Sequence, residues 1–246
     1  GIVEAGGVVV LGEGDAEVRT PVEAEGPARI VARDAVDGDG FELVSNELAV
    51  GGRLVTVRTP RALHEDLFVR LHGRHQGVNA AVAVAAIEEF FDAPVADDVL
   101  AEAFDTLEVP GRLEVVHRAP MVLLDAAHNE PGAAALARAV EEDFGGGSRR
   151  YLVMGMQDGR DPVGVFRALH ASSYELVVTC TVPTVRALGA EVLRDAAVEA
   201  GARAEAMTSL DGALDRVMAE AAEDDLVVVA GSIIVVGLIR ELMAEW

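Results

Sequence analysis

Apolar residues fall in short runs along the chain, and the grammar of those runs changes once. Up to about Leu71, four segments alternate or run β-branched between Gly, Asp and Asn: ARIVARD, FELVSNE, RLVTVRT and DLFVRLHG. Each predicts a short strand. The segment HQGVNAAVAVAAIEEFFDA then predicts an alanine-rich helix with Ala80, Ala83, Val84 and Ile87 on one face. A second helix, ADDVLAEAFDTL, starts from Asp97-Asp98, an acidic pair that suits a helix N-terminus. Pro110-Gly111 breaks this pattern, and the domain boundary is placed there, dividing residues 1–109 from residues 110–246.

Beyond the boundary, strands alternate with helices. The strands are MVLLDA, RRYLVMGM, YELVVTC and DLVVVAGS; the helices are predicted at Pro131–Phe144, Pro162–His170, Val185–Glu199, Leu210–Ala222 and Val235–Trp246. Apolar runs each followed by a helix indicate an α/β domain with a Rossmann-like, mainly parallel sheet covered on both faces. Ligands gather at the carboxyl ends of strands in such sheets. Asp125, His128, Asn129, Gly155, Thr181 and the Gly231-Ser232 pair all sit at such ends. Two glycine-containing stretches read differently. GEGDAEVRTPVEAEG is expected to be a solvated loop, and GGGSRR, from Gly145, a flexible connection between helix and strand.

Composition narrows the function classes. The 246 residues are 51% hydrophobic, enough for one large core or two modest ones. No apolar run is long enough to span a membrane, and nothing near Gly1 resembles a signal peptide. The single cysteine, Cys180, lies in an apolar run and reads as a core residue of a protein in the reducing cytoplasm. The formal net charge is -22, spread over both halves, and all 20 basic residues are arginine. A broad nucleic-acid-binding face is disfavoured. Dispersed acidity suits concentrated salt, where screening removes self-repulsion, so a halophilic source is expected. His64, His72, His75, His117 and His170 show no metal-ligand spacing, and no metal site is assigned to this chain. His72 and His75, flanking Gly73, are expected at the surface or in a loop.

PGRLE followed by LLDAAHN resembles the carboxyl-terminal domain of the folylpolyglutamate synthase/dihydrofolate synthase family, a branch of the Mur ligases. The resemblance extends to LHGRHQGVNAAVAVAA, VMGMQDGRDP, TVPTVRAL and GSIIVVGLIREL, and to Gly1-Ile2; Arg160 stands where the family usually has lysine. It implies that residues 1–109 are the end of the central, ATP-binding domain and residues 110–246 the carboxyl-terminal Rossmann-like domain. It also implies ATP-dependent addition of L-glutamate to folate or dihydropteroate through an acyl phosphate, with Mg2+. The family's glycine-rich phosphate loop, its metal ligands and its carbamylated lysine have no counterpart here and are expected upstream of Gly1, so this chain alone is expected to be inactive. Another Mur-type amino-acid ligase, or a nucleotide-binding module without catalysis, remains open.

The resemblance implies roles for particular residues. Asn79, Arg112 and Asp125 would hold ATP: Asn79 by pairing a purine edge, Arg112 by presenting a planar fork to phosphate, Asp125 by accepting from ribose hydroxyls. His128 would be catalytic or contact the incoming glutamate, and Ser232 would offer a hydroxyl and a backbone N–H to a carboxylate. Structural alternatives stand beside each role. Asn79 could cap its helix, Arg112 could form a surface ion pair, Asp125 could cap the helix near Pro131, and Ser232 could cap the last helix. His128 could orient the Asp125 carboxylate, and Asn129 could fix the turn before Pro131.

Overall fold

In the computed structural model, which describes residues 2–34, 39–146 and 149–243, the chain divides into two units, Gly1–Glu108 and Val109–Trp246. In the first, β1 (Val8–Leu11) and β2 (Arg29–Ala32) pair in parallel and are joined by α1 (Ala16–Ala24). The strands β3 (Glu42–Ala49), β4 (Gly52–Arg58) and β5 (Leu63–Val69) form an antiparallel sheet in that order. Two helices follow, α2 (Arg74–Phe91) and α3 (Asp97–Asp105). Val55, Val57, Leu67 and Val69 from the sheet pack with Ala80, Ala81, Val84 and Ala85 from α2.

Two expectations for this unit need correction. The acidic stretch after Gly12 is solvated, with no buried residue, but its centre is the helix α1. Glu17 in the first turn and an Arg19–Glu23 ion pair at 2.7 Å support it. On α2 the buried stripe is Gly77, Ala80, Ala81, Val84, Ala85 and Glu88, while Ala83 and Ile87 are exposed. A hydrophobicity pattern passes over Glu88, whose carboxylate is buried because its partners are built in. It accepts from the Val95 N–H at 3.0 Å, lies 3.0 Å from His64 Nε2, and bonds the Thr59 hydroxyl. His64 Nδ1 meets Asp97 at 2.6 Å, so one buried imidazole ties β5 to both helices. His72 precedes α2 and His75 lies in its first turn, both half-buried.

The second unit is a six-stranded sheet in the order β10-β9-β8-β11-β7-β6. Its strands are β6 (Glu114–Arg118), β7 (Met121–Leu124), β8 (Arg150–Met154), β9 (Leu176–Cys180), β10 (Ala204–Met207) and β11 (Leu226–Ala230). All neighbours are parallel except β6, which runs antiparallel to β7 at one edge. The helices are α4 (Glu130–Phe144), α5 (Pro162–Ala168), α6 (Ala190–Glu199), α7 (Leu210–Met218) and α8 (Ile233–Met243). Strand periodicity divides the core: Leu123, Leu152, Val177 and Val228 face α4, α5 and α6. Val122, Val153, Val178 and Val229 face α7 and α8. Cys180 is buried in this second layer, and burial pushes its thiol up to about 12, as expected for a packing residue.

The strands β6 and β10 go beyond the sequence pattern, because edge strands with half-buried residues lack a dense apolar run. The helix expected from Val185 begins only at Ala190. Residues before it are laced to the turn after β8: Asp158 N–H donates to Arg186 O at 2.7 Å, and Leu188 N–H to Met156 O at 2.9 Å. The Thr181 hydroxyl accepts from the Ala190 N–H at 3.0 Å and so starts α6. In GGGSRR, Gly145 ends α4, while Gly147 and Ser148 lie outside the described residues, as do residues 244–246 of the helix expected to reach Trp246.

Candidate functional site

Two turns converge above β7 and β11, and their sequences show why. In PGRLE, Gly111 has φ +70°, and a Cβ there would lie 2.5 Å from Val236 of α8. Glycine satisfies both demands. Glu114 accepts from the Gly111 N–H at 2.8 Å and from Arg240 at 2.8 Å, bracing the turn against α8. Leu113 is buried with φ +49°, a costly conformation for a branched residue that packing and a hydrogen bond must hold. That bond goes to Asp125.

Asp125, directly after β7, is 6% exposed. One carboxylate oxygen accepts from the Leu113 N–H at 3.1 Å and the other from the Ala127 N–H at 2.8 Å. Burial raises its pKa above the usual aspartate value, against the lowering effect of those two amides and of Arg112. Asp125 therefore ties PGRLE to DAAHN. It does not cap α4: Asn129 does, accepting from the Gly132 N–H at 2.9 Å, which corrects the alternative reading of Asp125.

The outcome is a cavity of about 500 Å³ wholly within the second unit, lined by Arg112, His128, Asp158, Arg160, Arg186 and Ser232 among others. Its size is ordinary for a small-molecule site. Arg112 is exposed at the cavity wall, and among the described residues no ion pair engages it, contrary to the surface-pair alternative. His128 is exposed; its Nδ1 lies 2.9 Å from the Ala126 carbonyl. A carbonyl only accepts, so Nδ1 carries the proton and Nε2 is left as an acceptor in the neutral ring. His128 consequently does not orient Asp125. Ser232 takes the capping role considered for it and also reaches the cavity. Its hydroxyl accepts from the Ile234 N–H at 3.2 Å at the start of α8, and the residue lines the cavity. Gly231 before it has φ +107°, and a Cβ there would lie 2.5 Å from the Gly155 carbonyl, so the close approach of β11 to the end of β8 requires glycine.

Other candidates lie elsewhere. Thr181 and Asn129 fall outside this cavity. Asn79 belongs to the first unit, exposed on α2, with its Nδ2 donating to Gln76 at 3.0 Å. It sits beyond the first turn and does not cap the helix, whose N-cap is Gly73. Arg160 and Arg186 are cavity residues to which the sequence attaches no role. Arg160 is visible as the arginine of GRD, but Arg186 is hidden by the helix expected from Val185. In the structure Arg186 donates to the Asp158 carbonyl at 3.2 Å, on the turn that also carries Arg160. Among the described residues no group of three or more His, Cys, Asp or Glu could hold a metal ion.

Residues 111–233, which contain every cavity residue named above, match the family described as Mur ligase, glutamate ligase domain. The chain belongs to the Mur ligase family. Among its relatives is the dihydrofolate synthase/folylpolyglutamate synthase of Mycobacterium tuberculosis, 31% identical over 259 residues, covering 97% of this chain and 52% of the relative. A probable bifunctional folylpolyglutamate synthase/dihydropteroate synthase of Haloferax volcanii is 30% identical over 249 residues, covering 96% of this chain and 26% of the relative. A structure of the Mycobacterium tuberculosis folylpolyglutamate synthase complexed with ADP and AMPPCP aligns with TM-score 0.88 and 30% identity, over 96% of this chain and 55% of that one. This Mur ligase chain thus spans about half the length of the Mycobacterium tuberculosis relative. The mainly parallel α/β architecture expected from the sequence is the one observed.

Proposed function

We propose that this chain is the carboxyl-terminal part of an ATP-dependent ligase that adds L-glutamate to folate or dihydropteroate. The observation that carries the reading is the cavity in the matched ligase domain, where His128 and Ser232, beyond the ends of β7 and β11, meet Arg112 from the turn before β6. In the reaction, a folate-side carboxylate oxygen attacks the γ-phosphorus of ATP, giving an acyl phosphate and ADP. The glutamate amine then attacks the acyl carbon, and phosphate leaves as the amide forms. Mg2+ would neutralise phosphate charge in the first step, with ligands outside this chain.

The residues of this chain supply positioning and charge. Arg112 presents a planar guanidinium to the nucleotide's phosphate. Asp125, buried and not among the residues that line the cavity, orders the turn that carries Arg112, and ribose hydroxyls are the ligand proposed for its carboxylate. Asn79 is the purine-pairing candidate on the first unit. His128 Nε2 can take a proton from the glutamate ammonium, converting it to the nucleophilic amine. Ser232, Arg160 and Arg186 offer a hydroxyl and two cations to glutamate's carboxylates. Residues 1–109 are assigned to the end of the central domain and residues 110–246 to the carboxyl-terminal domain. Acidity of -22 and the Haloferax relative support a halophilic cytoplasmic enzyme.

The test is to express this chain together with the coding sequence preceding it and assay glutamate-dependent amide formation. Activity is expected when the added segment carries a glycine-rich phosphate loop, and the 246-residue chain alone should be inactive. Robust turnover by the chain alone, or an active extended protein that ignores folate and glutamate, would refute the reading.

A further inference from the structure

The first unit contains a buried arginine that the ligase reading does not use. Arg53, on β4, is 4% exposed. Its Nε donates to Asn46 Oδ1 at 2.6 Å and its Nη2 to the Asn46 backbone carbonyl at 2.9 Å. Both bonds hold one residue of β3, which fixes the Asn46 amide in a single orientation. That orientation aims Nδ2 at the Arg74 carbonyl, 2.8 Å away in the first turn of α2. The helix comes close enough that a Cβ on Gly77 would lie 2.5 Å from Asn46 Nδ2. Gly77 is therefore the seat and the Asn46 amide the stop. A buried guanidinium is an expensive way to hold a hairpin together; here its effect is to set the axial position of α2.

The same turn carries a polar chain toward Asn79. His75 Nε2 lies 3.1 Å from Gln76 Nε2, and Gln76 Oε1 accepts from Asn79 Nδ2 at 3.0 Å. Gln76 is 5% exposed, so it is fixed by packing, while Asn79 stands at the surface. We propose that Arg53 and Asn46 are positioning residues for nucleotide binding: they seat the first turn of α2 and thereby aim the Asn79 amide. The proposal rests on the reading of Asn79 as a purine-binding residue.

Two conservative variants test it in the 246-residue chain. Arg53→Lys keeps the charge but loses the two-pronged grip. Asn46→Asp keeps an acceptor for Arg53 but loses the donor to Arg74. ADP affinity, measured by NMR titration, should fall roughly tenfold in each, well within the hundredfold that a misplaced contact can cost. Hydrogen–deuterium exchange should quicken over residues 74–79 while the second unit is unchanged. Unchanged ADP affinity with a lowered melting temperature would overturn the positioning role. Asn79→Ala separates the two ideas. If it leaves ADP affinity intact while exchange still quickens in Arg53→Lys, the purine reading of Asn79 fails. If exchange over residues 74–79 does not change, the seat itself fails.

Discussion

The sheet of the second unit places an aspartate and an arginine together at each end of its strands, and the two pairs differ. At the end where strands begin, Asp225 is 3% exposed and accepts from the Arg149 guanidinium at 2.7 Å, the Arg149 N–H at 3.1 Å and the Ala222 N–H at 2.7 Å. Burial works to raise its pKa, but the Ala222 amide and Arg149 outweigh it, and the net shift is downward. At the end where strands finish, Asp125 is also buried but bonds two backbone amides, and Arg112 acts on it only through its charge. There the net shift is upward, led by burial. One arginine is consumed by its aspartate; the other is left facing a cavity. A pair that closes on itself holds a fold, and a pair kept open has binding capacity in reserve.

The largest expected effect lies at the closed pair. Asp225→Ala removes the acceptor of two backbone N–H groups and should cost about 2–3 kcal/mol of stability, measured by urea unfolding. ADP affinity should not move, and if it did, the division of roles between the two ends would break. Asp125→Ala should act on both quantities. Freeing the Leu113 and Ala127 amides should cost about 1–2 kcal/mol, and disordering the Arg112 turn should weaken ADP binding by roughly tenfold, equivalent to about 1.4 kcal/mol. Stability loss with intact ADP binding would leave Asp125 a purely structural tie.

A smaller effect should sharpen the contrast through pH. Asp225 has a lowered folded pKa, so its contribution is present above the ordinary aspartate value of about 3.9 and is lost as pH falls through the folded pKa. Asp125 has a raised folded pKa, so its contribution has the opposite sign: present at low pH and lost as pH rises through the folded value. Asp225→Asn should therefore flatten the fall in stability between about pH 5 and about pH 3. Asp125→Asn should steepen it. Urea melts at the two pH values check both directions, and equal slopes in the two variants would contradict the assigned shifts.

How much of this was legible in the sequence follows from what each residue needs. The central strands were readable because Val122–Leu124, Leu152 with Val153, and Val227–Val229 are apolar on both faces of a covered sheet. The edge strands β6 and β10 are half-buried and carry Glu114, His117 and Glu205, so their pattern dissolves into the loops beside them. In the site, PGRLE and DAAHN were conspicuous because Gly111 and Asp125 answer local demands of backbone and burial. Arg186 was not, since its place depends on lacing between two loops that are far apart in sequence. The seat made by Arg53 and Asn46 was equally hidden, because a buried arginine on an alternating strand looks like an exposed one until its partner is known.

The central claim is that the open pair is the nucleotide-facing one. It is tested most directly by titrating ADP into Arg112→Ala and Arg149→Ala, side by side, by NMR in about 1 M salt, where the screening length is about 3 Å and the acidic surface no longer repels the ligand. Arg112→Ala is predicted to lose at least about tenfold in affinity with its melting temperature unchanged, as one charge-assisted contact is removed. Arg149→Ala is predicted to bind ADP normally and melt earlier. Equal ADP affinity in the two variants, or a loss confined to Arg149→Ala, would contradict the account.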